Sequence, residues 1–74
     1  MTTKRTGVTS TAIGCKVLLY RAQHDLTQAD IARRSGLTQA TISRIEDGLI
    51  ENPTLWTLQA LALAMRTTIE ELLA

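Results

Sequence analysis

The side chains best suited to covalent or metal chemistry in this sequence are one thiol and one imidazole, Cys15 and His24. Side by side they would make an activated nucleophile, and with further Cys or His they would make a zinc site. Their spacing forbids both. They fall in a stretch of helical periodicity, where nine steps turn one side chain about 180° from the other. No carboxylate–His cluster stands elsewhere, so nothing supports an enzyme, and no cofactor or metal is implied. A single Cys excludes an intrachain disulfide and suits a reducing compartment. The informative segment is instead Thr27 to Gly48, TQADIARRSGLTQATISRIEDG, and what it can do depends on the elements that carry it.

The chain has 74 residues, 45% hydrophobic and 20% charged, which is one small globular domain. Phe is absent and Trp and Tyr occur once each, so the core must be aliphatic. Ala, Leu, Gln, Glu and Arg are plentiful and no stretch alternates like a strand, which predicts an all-α fold. Met1 to Thr11 is polar, Thr-rich and aperiodic; it reads as a flexible tail before a domain spanning residues 12–74. A first helix runs from about Ala12 to His24, with Ile13, Val17 and Tyr20 as its buried stripe. Thr27 opens a second, where Thr-x-x-Asp reaches Asp30 in a capping-box pattern and Ile31 and Ala32 face inward. Gly36 suits a left-handed stop, Leu37 plugs the turn, and Thr38 caps a third helix anchored by Ile42 and Ile45. Asp47-Gly48 ends that helix. A loop through Asn52-Pro53 leads to a fourth, starting near Thr54 and turning Leu55, Leu58, Leu61, Ala62 and Met65 inward. Thr68-x-x-Glu71 reads as a complete capping box for a short fifth helix that buries Ile69 and Leu72.

Two helices of eight or nine residues joined by a tight turn containing Gly have helix-turn-helix spacing. Ala32 is small enough for the third helix to cross close over the second. An αα-hairpin in a structural bundle would show the same apolar positions, so the pattern alone leaves both open. The residues themselves go further. LTQADIA followed by SGLTQATISRIEDG resembles the signature of the XRE-type family of phage Cro and lambda-repressor-like regulators. The similarity continues through Asn52-Pro53-Thr54-Leu55 and LQALALAM to IEELL, covering about residues 13–73. It implies a compact five-helix lambda-repressor-like fold and double-stranded DNA as partner.

The resemblance also implies roles. The third helix becomes the recognition helix, lying in the major groove with Gln39, Ala40, Thr41 and Arg44 toward base edges. The chemistry is compatible: Gln bonds adenine in two places, Arg bonds guanine likewise, and Ala or a Thr methyl touches the thymine methyl. Gln28 stands where the family contacts phosphate, at a helix N-terminus that favours anions. Ser43, Asn52 and Thr38 are further candidate phosphate contacts, Thr38 being first of all a cap. Of Arg33 and Arg34, one is expected to face solvent. Arg21 and Glu46 match a pair that the family uses as a structural ion pair, holding the third helix at its docking angle.

Two positions depart from the family pattern. Leu49-Ile50-Glu51 stands where Lys or Arg often follows the glycine, so a carboxylate there should repel phosphate. Arg66 stands where Gly commonly ends the fourth helix, which makes that turn less ideal. Trp56, Ala60 and Leu63 form a second apolar stripe on the fourth helix, spaced i, i+4, i+7. It is expected to be a homodimer interface, with Leu49, Ile50 and Leu73 as possible additions, unless Trp56 folds back over the core. A two-fold dimer would read half-sites about 10 bp apart. The leading expectation is therefore a dimeric repressor on a pseudo-palindromic operator. The alternative is a protein-interaction module, an antitoxin or adaptor binding a partner protein through the fourth helix.

Net charge is +1, but the halves differ. Residues 1–45 hold seven Lys or Arg against Asp25 and Asp30, a local +5, and residues 46–74 hold Arg66 against five carboxylates, a local −4. A basic helix-turn-helix half and an acidic rear half would orient the protein on DNA. Lys4 and Arg5 read as part of the tail or as a basic arm. No apolar run approaches the roughly 18 residues of a membrane span, and no leader pattern follows Lys4-Arg5, so a soluble cytoplasmic protein is expected.

Overall fold

The computed structural model describes residues 12–74 except position 51. Lys4, Arg5, Glu51 and the tail expectation for Met1 to Thr11 lie outside the described residues. Among the described residues five helices follow in order: α1 (Ala12–His24), α2 (Gln28–Ser35), α3 (Gln39–Glu46), α4 (Leu55–Ala64) and α5 (Ile69–Leu73). There is no strand among the described residues.

Threonine starts each of the last four helices. Thr27 accepts from the Asp30 N–H at 3.1 Å while the Asp30 carboxylate accepts from the Thr27 N–H at 2.8 Å, so two otherwise orphaned donors are satisfied reciprocally. Thr38, Thr54 and Thr68 accept from the N–H of Thr41, Thr57 and Glu71, each at 3.1 Å. The box expected at Thr68 is thus seen as its hydroxyl half. Gly36 ends α2 at φ 78°, a conformation costly to any residue with a Cβ, and its N–H donates to the Ala32 carbonyl at 2.9 Å. That sharp stop lets α3 start again at Thr38.

The two halves of the helix-turn-helix are locked by a shared aliphatic core. Val17, Ile31, Ile42, Ile45, Leu61 and Leu72 are all but inaccessible to water, so every helix contributes to the centre. α3 packs on α1 and α2, α4 on α2 and α5, and α5 on α1. Burying each such side chain is worth about 1.5–3 kcal/mol, which ties the angle of α3 to the stability of the whole domain. Tyr20, Leu37 and Ile69 are half-buried against this core.

Two assignments need correction, one inward and one outward. Leu55 is 64% exposed: it begins α4 one turn before Leu58, beyond the edge of the core cluster. Ile50 packs against the core rather than joining a surface patch. It follows exposed Leu49 in non-helical chain, where neighbouring side chains point apart. The turn after α4 is strained as its sequence suggests, with Arg66 at φ 55°, and Asp25 after α1 adopts φ 58°. Holding a non-glycine residue there costs roughly 1 kcal/mol.

Candidate nucleic-acid interface

Ile42 and Ile45 bury one side of α3 and so fix what its other side displays. Thr38, Gln39, Ala40 and Arg44 are exposed on that helix, and Thr41 and Ser43 are half-buried at its flanks. The Thr41 hydroxyl lies 2.8 Å from the Thr38 hydroxyl, so these two groups share a hydrogen bond at the helix start. The Arg44 side chain makes no hydrogen bond or ion pair among the described residues, and its guanidinium is available to a ligand. Asn52 is exposed in the α3–α4 loop, with no hydrogen bond to α3 among the described residues.

The far end of α3 is clamped. Arg21 Nε donates to Glu46 Oε2 at 2.6 Å and Nη2 donates to Oε1 at 2.9 Å, a two-pronged pair joining α1 to α3. The Glu46 side chain is only 5% exposed and that of Arg21 19%. A third guanidinium nitrogen donates to the Leu26 carbonyl at 3.1 Å, which pins the α1–α2 turn as well. The hydrogen bond that Arg21 donates to Glu46 raises the pKa of Arg21 above its ordinary value against the pull of burial, and the Glu46 charge adds to it. Gln28 Nε2 also donates to Glu46 Oε1, at 3.0 Å. The amide at the phosphate position is therefore turned onto the clamp, with one N–H left over.

A family model described as helix-turn-helix matches residues 17–72, from Val17 in α1 to Leu72 in α5. The chain belongs to the XRE-type helix-turn-helix family. With that family comes the coarse function, a DNA-binding regulator of transcription. No curated protein and no solved structure matches the chain.

The positive charges of this helix-turn-helix protein are less available than their number suggests. Arg33 pairs with Asp30 at 2.5 Å on the exposed side of α2. Arg34 donates to the Ala64 carbonyl at 3.2 Å and to the Tyr20 hydroxyl at 3.3 Å, bracing the C-terminal end of α4. Lys16 donates to the main-chain oxygens of Glu71 and Ala74 at the end of α5. Among cations of residues 12–45, Arg44 alone is exposed and unengaged. The Gln28, Arg34 and Lys16 bonds were not foreseen; they join side chains to atoms 18, 30 and 55 positions away, and no local pattern encodes them.

The outer face of α4 presents the opposite chemistry. Trp56 is 66% and Leu63 76% exposed, with Ala60 half-buried between them, so Trp56 does not fold back over the core. Among the described residues no helix is long and apolar enough to cross a membrane.

Proposed function

We propose that the protein is a cytoplasmic, sequence-specific repressor that binds a pseudo-palindromic operator as a two-fold dimer, with α3 in the major groove of each half-site. The observation that carries this reading is the exposed outer face of α3, with Arg44 unengaged, on a helix anchored by Ile42 and Ile45 and clamped through Glu46. In this reading Gln39, Ala40, Thr41 and Arg44 face base edges. Gln28, Thr38, Ser43 and Asn52 approach phosphates, helped by the free backbone N–H groups at the start of α2. Trp56, Ala60 and Leu63 meet their counterparts across the two-fold axis, because one recognition helix reads too few base pairs for a specific site.

Selection of bound sequences from random duplexes tests both parts. A recovered palindrome with half-site centres about 10 bp apart supports dimeric readout. Recovery of no common sequence rejects it. A second reading draws on the same α4 exposure: a module that binds a partner protein through Trp56 and Leu63, with DNA binding secondary or lost. DNA affinity measured against salt separates the two. A steep negative slope of log affinity on log salt belongs to the repressor, and absence of binding at low salt belongs to the adaptor.

A further inference from the structure

Away from α3, a cleft of about 400 Å3 opens between α1, the α4–α5 turn and α5. Its size is within the range of small-molecule sites, about 300–1,000 Å3. Leu19 is exposed at its wall, and Met65 and Leu72 lie nearly water-free beneath it, so the floor is apolar. Lys16 and Arg66 stand on its rim against one carboxylate, Glu71, leaving a cationic surplus. Lys16 is tied to main-chain oxygens. The Arg66 side chain makes no hydrogen bond or ion pair among the described residues, although the residue occupies a positive-φ position that glycine would hold without strain. A strained residue whose side chain has no partner points to a job for that side chain.

We propose that this cleft binds a small carboxylate with an apolar body, the acid group on Arg66 and the body against Leu19 and Leu72. The ligand is held at the junction of α1, α4 and α5, on a surface independent of what α3 reads. An uncharged ligand of the same shape loses the hydrogen-bonded charge pair with the guanidinium and binds more weakly.

The test is a titration of the full chain with naphthoate and with its neutral amide, following backbone amide resonances. Naphthoate should shift Leu19, Gln23, Arg66 and Thr67 saturably and bind at least about tenfold more tightly than the amide. Arg66→Gly relieves the turn, so it should fold; it should also abolish the preference for the acid, and Arg66→Lys should restore part of it. Equal binding of acid and amide overturns the proposal. So do shifts centred on Trp56 and Leu63, or on Arg34 and Ala64, and so does the lack of any saturable shift.

Discussion

The outer faces of α3 and α4 are both exposed, yet they are exposed for different reasons. On α3, polarity and exposure agree: Gln39 and Arg44 need no partner to be stable in water, and a solvated helix face would look the same. On α4 they disagree. Its residues are apolar nearly all round, so burying Leu58, Leu61 and Ala62 leaves Trp56 and Leu63 in water. Large exposed apolar side chains grouped on one face are the more telling observation, because solvation alone does not explain them. The fold therefore argues more strongly for a partner on α4 than for DNA on α3. DNA binding in general comes from family membership, and its proposed placement on α3 draws on the clamp that holds the angle of that helix.

The largest effect should come from breaking that clamp. Arg21→Ala strands a nearly buried carboxylate with only the Gln28 amide for company. The expected loss is about 2–3 kcal/mol, which in a domain this small lowers the melting temperature by about 10–20 °C. Calorimetry finding an unchanged melting temperature would show that α3 keeps its angle by core packing alone. Trp56→Ala should do the reverse. Its side chain touches little of the core, so folding of the monomer should change by less than about 0.5 kcal/mol, while self-association weakens by about 2 kcal/mol. Sedimentation showing a monomer for the parent chain, with DNA affinity untouched by the substitution, would remove α4 from the repressor reading.

On α3 the effects should be smaller and distinguishable by kind. Arg44→Ala should relax base preference at one position in each half-site by about 1–3 kcal/mol. Gln28→Ala should weaken all sequences alike and leave the salt dependence unchanged, since an uncharged amide releases no counterion. Because Gln28 also bonds Glu46, affinities are best compared well below the melting temperature of the variant. A uniform loss for Arg44→Ala would demote it from a base contact to a phosphate contact.

How far each surface could be read beforehand follows from the range of the interactions that build it. Thr27, Gly36 and Thr38 act within four residues of themselves, and the sequence alone placed both helix ends of the central turn. The aliphatic stripe Ile31, Ile42, Ile45 was legible because helical periodicity decides which side of a helix is buried. Periodicity did not say where the neighbours of a helix stop, so Leu55 was turned inward on phase alone. The reach of Arg34 to Ala64 and of Lys16 to the end of α5 needed the tertiary fold. These bonds change the electrostatics most: among the described cations of residues 12–45, only Arg44 is left free for an anion. The end of the first helix at His24 was legible, but the left-handed conformation of Asp25 after it was not, since Asp tolerates that region without requiring it.

The same contrast extends to acid, where the expected effect is smallest. The cap of α2 is titratable and that of α4 is not: Thr27 is completed by a carboxylate, whereas Thr54 is joined by the Thr57 hydroxyl at 3.1 Å. The Asp30 pKa is held below its ordinary value of 3.8, first by the Thr27 backbone N–H, then by Arg33 and the Thr27 hydroxyl. A carboxylate lowered on folding stabilises the fold above its ordinary pKa, and that contribution disappears as pH falls through the lowered value. Hydrogen exchange at α2 should therefore accelerate below about pH 4 relative to exchange at α4. In Asp30→Asn the amide does not titrate, so that relative change should vanish while the neutral-pH protection of α2 drops. Acid acceleration of equal size at both helices, or one that survives in Asp30→Asn, would place the acid sensitivity elsewhere than the cap of α2.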